Sequence, residues 1–442
     1  MEITTKKSTM VYPAEETQKH RLWSSNLELL MTLHHVPTVY FFRPNGSSNF
    51  FNAQVLMEAL SKVLVPFYPM AGRLARDEKG RVEINCNAEG ALFVEAETDV
   101  VIDDLIGDTI RSSELWRLVP TVDYAADISS YPLTLLQVTK FKCGGVCLGI
   151  GLQHTLADGP AGIHFINSWA ESARGLPLSA EPHIDRSLLR ARDPPTPTFH
   201  HVEYDPPLSM NTDQEPQSDP ETTVSIFKLT RDQLNTLKDK ANKDGNAGNY
   251  STYNSLAAHI WRCVKSFPDT AKRIQTILKR MDDEYLRSAI DHMETVPNVR
   301  APVLGARGFQ CPNLCINSWV RLPIYEADFG WGCPIWLGPA KGSQDGKTYV
   351  LPSPVKDGSL SLATCLDTAH MKKQVCCPFS SKRMDHAISR VLALVASQLM
   401  SRRETFKFGG SVKVERKRER QSDRDPFSSE TPMKWWDVGR SG

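Results

Sequence analysis

Excess charge and long apolar runs are both missing from this chain. Its 442 residues carry 52 Lys+Arg against 51 Asp+Glu, a formal charge of +1. Such a balance argues against broad attraction to nucleic acid or an anionic membrane, which needs a field of one sign. No run of eighteen or more apolar residues occurs, so no membrane span is expected. The start, Met1-Glu2-Ile3-Thr4-Thr5-Lys6-Lys7, is polar and lacks the apolar core of a secretory signal. A cytoplasmic protein with no nucleic-acid partner is the expectation. Cysteine is sparse too: ten in a chain this long make no disulfide framework, and reduced thiols are expected. The pairs Cys143/Cys147 and Cys311/Cys315 share a Cys-x-x-x-Cys spacing, wider than the knuckle of most structural zinc sites, so no metal is expected. Phosphate-cradling loops, a Gly-x-Ser-x-Gly elbow and His-Glu-x-x-His spacing are all absent.

What remains is an ordinary globular composition, 40% hydrophobic and 23% charged, long enough for two or three domains. The first 176 residues read as mixed α and β. Leu56, Ala59, Leu60, Val63 and Leu64 recur at helical spacing after Asn52, a natural N-cap, and Pro66 ends the run. Leu133–Lys140 and Val146–Gln153 read as strands joined at Gly144-Gly145. His154 follows at once, and Ile163, Ile166, Trp169 and Ala173 then mark a helix ending at Gly175. Nine of the 29 prolines fall between Pro177 and Thr222, which makes residues 177–222 an extended crossover between domains. Residues 223–373 read as a second mixed domain, with a strand at Thr223–Leu229 and helices at Ser251–Lys265 and Ile274–Met293. Further strands are expected at Ser318–Leu322 and Ser359–Leu366. Residues 374–442 form a divergent tail, with one apolar helix at Ala387–Met400 and a charge run from Lys413 to Asp425.

Chemistry concentrates at His154-Thr155-Leu156-Ala157-Asp158-Gly159, where a strand leaves its sheet for a helix. Histidine is the side chain best suited to general base work near neutral pH, and a strand end can present it to a cleft. A His with Asp four residues on is weak evidence alone, and a structural histidine is an equally good reading of it. Together with Asp328-Phe329-Gly330-Trp331-Gly332, however, it resembles the paired signature of the plant BAHD acyl-CoA-dependent acyltransferases. The stretches Val65–Leu74, Gly162–Trp169, Ser318–Pro323 and Val350–Pro354 resemble its hydroxycinnamoyl-CoA:shikimate/quinate branch, and the likeness covers about residues 1–373.

The resemblance implies an α/β, chloramphenicol acetyltransferase-like fold of two domains, each a mixed sheet flanked by helices, with a channel between them. It implies an enzyme of phenylpropanoid metabolism that moves a hydroxycinnamoyl group from an acyl-CoA co-substrate to a hydroxyl of shikimate, quinate or a related acceptor. No bound cofactor is implied, and a monomer is expected. His154 is carried over as the general base, and Trp319 as an indole N–H donor to the oxyanion. Asp328 belongs to the second motif and is read as structural, with Gly330, Trp331 and Gly332. Asp158 and Gly159 are likewise read as shaping the loop. Ser251, Thr252, Tyr253, Asn317, Ser318 and His35 are the implied substrate-binding set, although Ser251 also reads as a plain N-cap.

Four departures from the pattern stand out. After Trp261-Arg262-Cys263-Val264-Lys265 about fifty residues of the family are missing, which leaves the second domain open to being incomplete. The lost stretch includes the Arg that pairs with the aspartate at position 158. Leu304 stands where an Arg grips the shikimate carboxylate, with Arg307 as a nearby substitute. Val36 and Asn317 replace threonines beside the substrates, and the tail is unlike the family's short ending. A catalytically impaired scaffold that binds acyl-CoA or partners without turnover is therefore the alternative reading.

Overall fold

The two apolar runs within residues 133–153 become an antiparallel hairpin in the computed structural model of the chain. The structure describes residues 1–106, 112–201, 204, 222–242, 249–260, 267–296, 315–340, 346–367 and 371. The expected tail helix at Ala387–Met400, the charge run, Leu304, Arg307 and Cys311 lie outside them. The described strands, in chain order, are β1 (Thr4–Val11), β2 (His20–Trp23), β3 (His35–Phe42), β4 (Arg73–Arg76), β5 (Val82–Cys86), β6 (Ala91–Thr98) and β7 (Thr134–Phe141). They continue with β8 (Val146–Gln153), β9 (Thr222–Leu229), β10 (Cys315–Ser318), β11 (Trp336–Pro339), β12 (Lys347–Pro352) and β13 (Leu360–Asp367).

Six strands form the larger sheet in the order β1-β6-β7-β8-β3-β11, parallel only between β6 and β7. Nearly every residue of β7 and β8 is buried, which is why these strands are close to continuously apolar. The helix Ala53–Val63 starts where the Asn52 side chain accepts the Gln54 and Val55 N–H groups, and it buries Leu56, Ala59, Leu60 and Val63. It packs against the helix Gly159–Ala173, whose fully buried Trp169 donates its indole N–H to the Leu56 carbonyl at 2.9 Å. Phe42, Phe51, Phe329 and Trp331 complete that aromatic core. Replacing a buried Trp of this kind by Ala costs about 3–5 kcal/mol.

The smaller sheet runs β10-β12-β13-β9, parallel only between β10 and β12. Val350 and Leu362 turn one face toward the helices Arg231–Asn242 and Thr252–Ile260, against Leu234, Leu237, Leu256 and Ile260. Because side chains alternate across a strand, Lys347, Tyr349 and Leu351 take the other face. Register places Cys315 and Cys365 on either side of Lys347, and Asn317 and Ala363 on either side of Tyr349. The chain then lends β11 to the larger sheet, covering the edge of β3. A third sheet, β2-β5-β4, lies in the first half.

Two element expectations need correction. The single helix over Ile274–Met293 is two, Phe267–Arg280 and Asp283–Thr295, because the Asp282 carboxylate caps a new start by accepting the Tyr285 N–H at 2.9 Å. The strand expected at Ser318–Leu322 occupies Cys315–Ser318 instead. Trp319–Leu322 turns, with the Leu322 N–H on the Trp319 carbonyl, since Pro323 has no N–H to carry a ladder onward. The helix opened at Ser251 is described from Thr252 to Ile260.

The crossover is pinned by hydrogen bonds. Buried Asp291 accepts the N–H groups of Arg192 and Thr196, and Ser288 accepts those of Thr198 and Phe199. Burial opposes the Asp291 charge, yet these donors and the Arg192 guanidinium hold its carboxyl below the usual range. Arg186 meets Glu28 at 2.7 Å and reaches the Leu156 carbonyl at 3.4 Å, so the crossover also touches the turn that carries His154.

Candidate active site

His154 sits one residue past the end of β8, and its backbone is held from three directions. Gln153, fully buried, donates to the Leu33 carbonyl at 2.6 Å and accepts the Thr155 N–H, while its own carbonyl takes the Leu156 and Ala157 N–H groups. Downstream, the Asp158 carboxylate accepts the Ala161 N–H at 2.9 Å and caps the helix Gly159–Ala173. Arg186 holds Leu156 from the crossover. The imidazole itself is mostly buried. Nδ1 is enclosed with no hydrogen-bond partner. Nε2 is neither bonded nor enclosed in that way, so in the tautomer with its proton on Nδ1 the Nε2 lone pair reaches accessible space. Burial first, and the Lys347 cation after it, hold the His154 pKa below the ordinary histidine value. The ring is thus a neutral base at pH 7.

Trp319 turns out of β10 beside this region. Its N–H binds the Val350 carbonyl at 2.8 Å, and its indole packs edge-on against Tyr349 with centroids 5.2 Å apart. The Lys347 ammonium lies 5.6 Å from the Tyr349 ring centre. Asn317 and Tyr349 are register partners, so Asn317, Tyr349 and Lys347 share the sheet face away from the helices. Lys347 is the residue the sequence reading missed. Its signal was a cation on the inward phase of an otherwise apolar strand, Lys347-Thr348-Tyr349-Val350-Leu351.

The second motif is built differently. One Asp328 carboxylate oxygen accepts the N–H groups of Gly330 and Gly332, at 2.8 and 2.9 Å. Both glycines have φ near +100°, a conformation that L side chains rarely adopt. The loop drives Phe329 and Trp331 into the aromatic core, where the Trp331 indole donates to Asn49 at 3.2 Å. Asn167, on the helix after the His154 turn, reaches the Pro323 carbonyl at 3.2 Å and ties the two motifs to one another. Gly159 faces Leu322 across the same seam.

His35 is held by the fold. It pairs with Gln153 across β3 and β8, but both its ring nitrogens are taken. Nε2–H donates to the Pro132 carbonyl at 2.8 Å, so Nδ1 accepts from the Tyr124 hydroxyl, also at 2.8 Å. Burial lowers its pKa to about 4, against the raising pull of Pro132. Both ring nitrogens thus bind groups of the protein itself. Ser251 accepts the Asn254 N–H at 3.1 Å, the geometry of an N-cap. Tyr253, next to Thr252, sends its hydroxyl to the Ile316 carbonyl at 3.4 Å, and burial pushes its phenol up to about 12. Cys147 is fully buried and Cys143 exposed, and among the described residues no three His, Cys, Asp or Glu side chains cluster as metal ligands. No helix among them is long and apolar enough to cross a membrane.

Two mixed sheets flanked by helices, with a neutral imidazole at a strand end, define a CoA-dependent acyltransferase architecture. The same fold is seen in the crystal structure of vinorine synthase, with a TM-score of 0.62 at 20% identity, over 84% of this chain and 96% of that one. The chain belongs to the Transferase family, the BAHD acyltransferases, whose model matches residues 1–268 and 264–375. It is an acyltransferase, with acyl-CoA as co-substrate. Shikimate O-hydroxycinnamoyltransferase of Nicotiana tabacum is 50% identical over 427 positions, covering 84% of this chain and 98% of the relative. Hydroxycinnamoyl-CoA:5-hydroxyanthranilate N-hydroxycinnamoyltransferase HHT4 of Avena sativa is 46% identical over 438 positions, with the same coverage. The two family matches overlap at 264–268, beside the place where about fifty residues of the family pattern are missing, and the second ends at 375.

Proposed function

We propose that this protein transfers a hydroxycinnamoyl group from its CoA thioester to a hydroxyl of shikimate, quinate or a related acceptor, as a cytoplasmic monomer. The observation that carries the mechanism is the His154 ring, with Nδ1 enclosed and Nε2 open. Nε2 takes the acceptor O–H proton as the oxygen attacks the thioester carbonyl. The tetrahedral oxyanion collapses, the C–S bond breaks, and the departing thiolate takes the proton from the imidazolium to leave as free CoA. No covalent enzyme intermediate is needed. Trp319 is the donor assigned to the oxyanion, and Asn317, Ser318 and the Ser251–Tyr253 segment are assigned to the acyl-CoA side.

The test is CoA release from p-coumaroyl-CoA in the presence of shikimate. Wild-type protein turns over, and His154→Ala loses about 10²–10⁴-fold in kcat/KM. Absence of turnover in wild type, or equal turnover in the variant, overturns the assignment. Trp319→Phe is expected to cost up to about 10²–10³ in kcat, the range for one oxyanion donor.

A further inference from the structure

Lys347 is a cation that no carboxylate among the described residues neutralises. It is partly buried. Its neighbours are the Tyr349 ring, Cys315 beside it on β10 and Cys365 beside it on β13. Burial opposes its charge, yet Tyr349 and Cys315 keep it protonated well above neutrality. A half-desolvated ammonium without a counter-charge is costly unless an anion completes it.

The position restricts which anion. Lys347 shares a sheet face with Tyr349 and Asn317, Trp319 packs on Tyr349, and the field of the ammonium reaches the His154 ring. A group that meets Lys347 therefore lies close to the hydroxyl being deprotonated. CoA keeps its phosphates at the far end of the pantetheine arm from the thioester, and a hydroxycinnamoyl group is neutral. The anion belongs to the acceptor. Shikimate and 5-hydroxyanthranilate, named as acceptors of two relatives, are both carboxylic acids.

Resting on the function proposed above, we infer that Lys347 receives the carboxylate of the acceptor and so selects acidic acceptors. An ammonium on a flexible stem binds as a point charge, not as the planar fork an arginine offers, so the site tolerates acids of different shape.

The experiment compares the kcat/KM of shikimate with that of methyl shikimate, using p-coumaroyl-CoA, in wild type, Lys347→Met, Lys347→Gln and Lys347→Arg. Wild type prefers the acid. The Met and Gln variants lower the acid-to-ester ratio about tenfold or more, chiefly through the KM of shikimate, while Lys347→Arg retains most of it. An unchanged ratio in the Met and Gln variants, or no preference in wild type, overturns the inference. So does a rise in the KM of p-coumaroyl-CoA that is absent with the p-coumaroyl thioester of N-acetylcysteamine, because the anion would then be a CoA phosphate. His154→Ala lowers both acceptors alike, which separates this role from that of the base. If wild type turns over neither acceptor, the transfer reading falls, and calorimetric titration of shikimate in the presence of CoA decides Lys347. Shikimate binding that the Met and Gln variants lose supports the site, and no binding or equal binding ends it.

Discussion

The His154 turn and the Asp328 turn carry two halves of one family signature, yet they are built on opposite principles. In the Asp328 turn the polar atoms of the motif are matched: a carboxylate oxygen holds two glycine N–H groups, and the indole finds Asn49. In the His154 turn the backbone is just as firmly held, but the ring at its centre has an enclosed Nδ1 without a partner and an open Nε2. His35, paired with Gln153 one strand away, serves as an internal control, since its ring is equally histidine, similarly buried and completely satisfied. A buried polar group that is satisfied specifies structure. One held rigidly and left unsatisfied stores reactivity for a ligand.

Substitutions sharpen this contrast. The largest effect is expected at His154, where Ala removes about 10²–10⁴-fold of kcat/KM with little change in the melting temperature. The acid limb of the wild-type profile has its midpoint below pH 6.5, because burial and Lys347 disfavour the imidazolium. Lys347→Met moves that midpoint upward, and a midpoint that stays put breaks the link between the two residues.

His35 speaks in stability. Its folded pKa near 4 lies below the unfolded value of 6.5, so the unfolded chain binds the extra proton between these limits. Stability from this group is complete above pH 6.5 and falls by about 3 kcal/mol as the pH drops toward 4. Urea denaturation at pH 7 and pH 4.5 measures this, and His35→Gln is expected to flatten the difference. Asp328→Ala removes the acceptor of two N–H groups and costs about 1–3 kcal/mol of stability, with far less loss of kcat than His154→Ala. A reversed pattern, with stability intact and kcat collapsed, would place Asp328 in the chemistry. Smallest is Asp158→Ala, which deletes an N-cap worth about 1 kcal/mol and shows as a lower melting temperature.

Much of the fold was legible because its signals are local. Asn52 announced a helix start, Gly144-Gly145 a hairpin and Gly175 a helix end, and each acts within a few residues of itself. The break at Asp282 was missed because the apolar spacing runs on through both helices, and a cap is hard to see inside a continuous pattern. The substrate-binding role expected of His35 came from the family resemblance. Its ring is claimed by Tyr124 and Pro132, about ninety residues downstream, whose approach no spacing reports.

By itself the sequence determined the family, the two motifs and the strand-to-turn-to-helix setting of His154, since all of these are written in contiguous residues. Only the tertiary structure decided which polar atoms are matched and which are left open. It alone placed the Lys347 cation, on a strand of the other sheet, where its charge acts on the imidazole. The physical reason is that desolvation and charge act through space, and a base takes its strength from whatever the fold packs around it.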